Sequence, residues 1–135
     1  MRKIAATYIF PCNGKPLKNG ILVCENDGTV IEIIDTSGNL NEQAELEFYS
    51  GILVPSFVNV HFSLSKSNRQ RLILAEMLEL QQSSPELTLE ELLKLKTDDW
   101  VGGFEKGKKS GVSLISGIDF KNMKLTVNSR IKRLI

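Results

Sequence analysis

The stretch Gly51-Ile52-Leu53-Val54-Pro55-Ser56-Phe57-Val58-Asn59-Val60-His61 decides how this chain is read. Its apolar residues form short unbroken runs without the three-and-four spacing of a helix. Ile52 to Val54 reads as a short strand, interrupted by Pro55. Phe57 to His61 reads as a further strand, apolar enough to be covered on both faces.

The residues before this stretch are also strands. Ile4 to Phe10 is apolar and β-prone, and Pro11-Cys12-Asn13-Gly14 breaks it. Ile21 to Cys24 and Val30 to Ile34 flank Asp27-Gly28, a hairpin signal that predicts a type I′ turn with positive φ at both central residues. Asp35 to Asn41 is a polar loop. Leu46 to Tyr49 is a short strand parted from Ile52 to Val54 by Ser50-Gly51.

After the stretch the period changes. Leu72, Ile73, Met77, Leu78 and Leu80 fit a helix over 71–82, ended by Ser83-Ser84-Pro85. Thr88 and Glu91 form a capping box at the start of a second helix, with Leu87 and Leu92 placed as a hydrophobic staple; that helix should fade near Asp98. Strands then return at Val112 to Ile115 and Ile131 to Ile135, with a looped segment from Ile118 to Leu125. Helices that do not alternate with strands exclude a doubly wound sheet. The expected fold is α+β and mainly β: a small β-sandwich assembled from N- and C-terminal strands, with two α-helices between them and no (β/α)8 barrel. One domain spans 1–135, with N-terminal strands over 1–61, a helical segment over 62–100 and C-terminal strands over 101–135.

Composition narrows the function. The chain has 135 residues, 41% hydrophobic and 24% charged, with a formal net charge of +1. That is globular composition, with no overall field to draw in nucleic acid or an anionic membrane. No run of about 18 apolar residues is present to cross a membrane. The apolar stretch after Met1-Arg2-Lys3 is short and broken by Pro11 and Asn13, so no signal peptide is read and a cytoplasmic location is expected. Cys12 and Cys24 are then expected as free thiols.

Two stretches resemble the amidohydrolase superfamily, especially its aminohydrolase and deaminase-like branch. The Gly51–His61 run is similar to one in which those proteins carry Pro-Gly followed by His-x-His. Gly103-Phe104-Glu105-Lys106-Gly107-Lys108-Lys109-Ser110-Gly111-Val112 is similar to a turn in their C-terminal β segment. The hairpin at Asp27-Gly28 fits their opening strands. The resemblance implies a metal-dependent hydrolase ancestor, with a small β-sandwich built from both chain ends and a (β/α)8 barrel between them. A barrel needs about 250 residues, and none fits here. Residues 57–61 resemble the first barrel strand and 63–80 the segment after the eighth, so the two ends join near His61 to Ser63.

The departures weaken the enzyme reading. Two metal ligands on one strand must lie two residues apart to share a face, and here the pair reads His61-Phe62-Ser63. The second ligand is lost, and Phe62 falls about where the resemblance would put the catalytic aspartate. Ser56 stands where glycine is preferred, and Ser110 where alanine or proline is frequent.

The sequence nominates no catalytic residue and no cofactor. His61 is the single candidate metal ligand, yet a hydrolytic zinc site keeps three protein ligands, and no spacing recruits Cys12, Cys24 or carboxylates to it. A leftover histidine at a strand end is the plainer reading. Neither cysteine has a neighbouring histidine to activate it. Gly102-Gly103 and Gly107 mark a tight turn, because no Gly-Lys-Ser/Thr is present and a strand, not a helix, comes next. Lys106, Lys108, Lys109, Arg130, Lys132 and Arg133, with Trp100 and Phe104 nearby, could suggest a nucleic-acid patch. Solvated charges that block edge pairing are the better reading.

The helices around Leu72 to Leu95 would pack on the barrel of a complete enzyme. Without it, part of their apolar face needs other cover, from the sandwich or from a second copy as a homodimer. The expectation is a non-catalytic, barrel-less amidohydrolase-like protein serving as a binding or assembly module. The alternative is a metal-dependent hydrolase whose site is completed by another subunit or a partner chain.

Overall fold

The computed structural model describes residues 1–11, 15–41, 44–55, 66–95, 104–109 and 111–135. In chain order they form β1 (Arg2–Ile9), β2 (Leu17–Lys18), β3 (Ile21–Cys24), β4 (Val30–Ile34), β5 (Leu46–Pro55), α1 (Lys66–Ser83), α2 (Leu89–Leu95), β6 (Val112–Ser116) and β7 (Arg130–Arg133). The strands join in one seven-stranded sheet of order β4-β3-β1-β5-β6-β7, with β2 pairing β1 beyond β3. This is the mainly β, α+β fold expected, with both chain ends in one sheet. The further strand expected over 57–61 lies outside the described residues, as does the Gly102-Gly103 turn.

β5 is where the two ends meet. It runs parallel to β1, with Ile4 opposite Glu47 and Ile9 opposite Leu53. On its other edge it runs antiparallel to β6, with Ile52 opposite Ile115 and Leu53 opposite Leu114. Both edges of β5 are thereby satisfied only when the distant C-terminal residues arrive, since a buried strand cannot leave its backbone groups unpaired.

Two local expectations are corrected. Leu46 to Tyr49 and Ile52 to Val54 are one strand, because Ser50-Gly51 makes a bulge and not a break; the register against β1 shifts between Ala6 and Tyr8. Gly51 adopts φ +150°, and a β-carbon there would lie 2.5 Å from the Ile115 carbonyl oxygen. Only glycine lets β5 and β6 approach this closely. The hairpin at Asp27-Gly28 exists, but of its two central residues only Gly28 takes positive φ. The Gly28 N–H donates to the Glu25 carbonyl at 3.0 Å, and the Thr29 N–H donates to the Asp27 carboxylate at 2.9 Å. That Asx contact favours a longer loop than the two-residue type I′ turn.

The sheet curls, so its two limbs enclose a common core in the manner of a sandwich. Ile4, Ala6, Leu22, Cys24 and Val30 from the first limb share a cluster with Leu53, Val112 and Leu114, and Leu134 and Ile135 pack against it. After β7 the chain end bonds back to β6, where the Leu134 N–H reaches the Val112 carbonyl at 2.8 Å. The opposite face is capped by the helices and the C-terminal loop: Ile52, Val54 and Ile115 meet Met77, Leu89, Leu92 and Leu125. Fully burying an aliphatic side chain of this size contributes about 1.5–3 kcal/mol, so this face depends heavily on α1 and α2.

The helices begin and end for local reasons. Thr88 caps α2, its Oγ1 accepting from the Glu91 N–H at 3.2 Å, and Leu87 packs into the same cluster as Leu92. In α1, Leu74, Met77, Leu78 and Gln81 follow the three-and-four spacing of one inward face. Gln81, 8% exposed, holds the loop above it: its Nε2 donates to the Leu125 carbonyl at 2.8 Å and its Oε1 accepts from the Leu125 N–H at 2.9 Å.

Candidate functional site

The lock between Gln81 and Leu125 sets α1 beside the loop entering β7, and a cleft opens along that seam. Its volume is about 470 Å³, and Leu74, Ala75, Leu78, Leu125, Val127 and Ile131 supply its apolar wall. Polar groups are confined to one rim, at Thr126, Ser129 and Arg130. Most of them are already engaged. Thr126 and Ser129 both donate hydroxyl bonds to the Gly117 carbonyl, at 2.8 and 2.9 Å, and Arg130 Nη1 donates to the carbonyls of Val127 and Ser129. Such a wall favours apolar groups and offers few directed bonds, which suits a docking side chain or helix better than a reacting polar substrate. Val127 on the rim is 73% exposed, and Leu80 one turn along α1 is 37% exposed.

His61, the candidate metal ligand, and Cys12 lie outside the described residues. Among the described residues no three His, Cys, Asp or Glu side chains come together in a group that could hold a metal ion. Cys24 is a free thiol, buried between the limbs of the sheet, and burial pushes its pKa up. Its surroundings are aliphatic, as expected of a cysteine acting as a small apolar residue.

The structure divides the basic residues read from the sequence. Lys106, Lys108 and Lys109 are exposed beside β4, whereas Arg130, Lys132 and Arg133 lie on β7 at the other end of the strand order. Phe104 is 3% exposed within the core and presents no face to a base; Trp100 lies outside the described residues. Solvated charge fits Lys106, Lys108, Lys109, Arg130 and Lys132. Arg133 departs from it: the Nη1 atom is buried without a hydrogen-bond partner among the described residues.

Sequence reading did not find the groups that tie the ends together. Arg2, Glu47 and Tyr49 form one network: burial and the bond to Glu47 raise the Tyr49 pKa, while the Arg2 guanidinium holds the Glu47 carboxyl below its ordinary value. Alternating charge and aromatic character on two strands could have signalled it, but only with the register of β1 on β5 known. The cleft was legible solely as the apolar helix face over 72–80.

In comparisons with known proteins, no family model matches this chain, and no curated protein matches it significantly.

Proposed function

We propose that this chain is a non-catalytic, barrel-less amidohydrolase-like protein that acts as a binding or assembly module, with the α1–β7 cleft as its docking surface and a second copy of the chain as its occupant. The observation that carries the reading is the cleft itself: an apolar wall on α1, a rim whose polar groups are bonded to their own backbone, and exposed Leu80 and Val127 beside it. An apolar surface of that kind marks an interface more often than a reaction site. The amidohydrolase resemblance supports the same reading, since a helical segment deprived of a barrel needs another partner. The composite sheet, with both chain ends joined on β5, agrees with the β part of that architecture.

The test is molar mass by light scattering across a concentration series, with metal content measured on protein purified without chelator or histidine tag. The reading expects a metal-free dimer that Val127→Asp converts to a monomer without loss of secondary structure. A metal-free monomer at all concentrations would remove the dimer. About one metal ion per chain, lost in His61→Ala, would replace the module with a hydrolase-related site completed between chains.

A further inference from the structure

The cleft between α1 and β7 separates surfaces of opposite charge. Over 74–92 the described side chains include five glutamates and no lysine or arginine. Over 119–133 five lysines and arginines stand against Asp119 alone. The formal net charge of +1 therefore hides a strong asymmetry across this one seam.

That asymmetry reaches both rims. Ala75 lines the cleft from α1, and Glu79 follows it one turn later on the same stripe of the helix. Both are exposed. Arg130 lines the cleft from β7, where its Nη1 donates to the carbonyls of Val127 and Ser129 at 3.3 and 2.9 Å. Those bonds anchor the guanidinium on the strand rim. Its Nε and Nη2 carry no hydrogen bond among the described residues. Relief is complementary as well: Val127 on the strand rim is 73% exposed, whereas the helix rim offers only a methyl group at Ala75.

Two copies can close face to face over this cleft about a two-fold axis in two ways. An axis across the cleft lays helix rim on helix rim and strand rim on strand rim, so Glu79 meets Glu79 and Arg130 meets Arg130. An axis along the cleft lays each helix rim on the partner's strand rim. Juxtaposed like charges disfavour the first arrangement, and opposite charges favour the second.

We propose that the second copy docks about a two-fold axis running along the cleft, with Glu79 of each copy paired to Arg130 of the other and Val127 seated against the partner's Ala75. This rests on the reading of the cleft as the docking surface for a second copy, and it adds which rim meets which. Exposed ion pairs contribute little individually. The apolar wall therefore holds the dimer, and the charges choose its orientation and make it sensitive to salt.

The test is charge reversal with mixing, read by light scattering and native mass spectrometry on the full chain. Glu79→Lys alone and Arg130→Glu alone each place like charges at both copies of the pair, and each should weaken dimerisation about tenfold or more. An equimolar mixture restores opposite charge at both positions and should form a 1:1 heterodimer in preference to either homodimer. The doubly reversed chain should dimerise as the wild type does. If Arg130→Glu fails to fold, a cycle of Arg130→Gln and Glu79→Gln reads the same pair: the second substitution should cost little once the first is made. Reversal variants that dimerise like the wild type, or a mixture without preference for the heterodimer, would overturn the proposal; loss of the dimer in Val127→Asp would then still support docking at the cleft. A wild type that stays monomeric at all concentrations would remove the docking reading and this orientation together.

Discussion

Arg2 on β1 and Glu47 on β5 share two hydrogen bonds, Nε to Oε2 at 3.0 Å and Nη2 to Oε1 at 2.8 Å. The Tyr49 hydroxyl donates to the same carboxylate at 3.0 Å, and Arg2 Nη1 reaches the Leu134 carbonyl at 3.4 Å. One guanidinium thus touches the strand that closes the N-terminal half and the last turn of the C-terminal half. Its fork geometry is what permits this, and lysine would not replace it.

That pair makes stability depend on acid. The Arg2 bonds lower the Glu47 pKa in the folded protein, and the unfolded value is about 4.3. A depressed folded value means the contribution is fully present above the unfolded pKa and is lost as pH falls through the folded one. Glu47→Gln should therefore cost about 0.5–1 kcal/mol at neutral pH, as expected for a partly exposed ion pair. The gap from the wild type should close as denaturation is repeated at pH values below about 4. An equal gap at acid and neutral pH would mean the pair contributes through packing alone.

Gly51→Ala should be the most damaging glycine substitution among those described at turns and bulges. It combines φ +150° with a β-carbon 2.5 Å from the Ile115 carbonyl oxygen. Strain plus the separation of β5 from β6 should cost about 2–4 kcal/mol. Gly38→Ala is the control, with φ +83° and nothing within 4 Å, and should cost only about 1 kcal/mol. Urea denaturation of both variants measures the difference.

Gln81→Leu should unlock the cleft. The amide serves both backbone groups of Leu125 inside the protein, and leucine leaves them unpaired. Two orphaned buried groups cost about 2–4 kcal/mol, and the loss should appear first as fast amide exchange at Leu125. Gln81→Glu keeps the acceptor and loses the donor, so its cost should be intermediate.

Cys24 should be inert to alkylation in the folded state. It is buried in aliphatic surroundings and burial raises its pKa, so thiolate is scarce and inaccessible. Mass mapping after iodoacetamide treatment should find Cys24 unmodified until denaturant unfolds the chain. Rapid labelling in native buffer would show that the two limbs of the sheet open readily.

Local chemistry made several elements legible in the sequence. Thr88 and Glu91 marked the start of α2 because a cap acts on N–H groups three residues away. The apolar runs at Ile21 to Cys24 and Val112 to Ile115 marked β3 and β6 because both stay within one strand. The break assigned to Ser50-Gly51 did not survive: whether a glycine ends a strand or bulges it depends on the neighbour, and that neighbour is Ile115. The cation reading of Arg133 changed for the same reason, since burial of one guanidinium nitrogen is decided by what packs over β7.

The sequence by itself determined the mainly β class, the succession of strands, two helices and strands, the cap of α2, the inward Met77 and Leu78 of α1 and the near-neutral charge. All of these depend on residues within a turn or a strand of one another. Tertiary structure alone decided that β5 carries β1 on one edge and β6 on the other, that Arg2 reaches Glu47 and Leu134, that Gln81 closes on Leu125 and that β4 comes last in the strand order. Each of those relations joins residues far apart in the chain, and their pairing comes from whichever arrangement buries the apolar faces while leaving the fewest backbone groups unsatisfied.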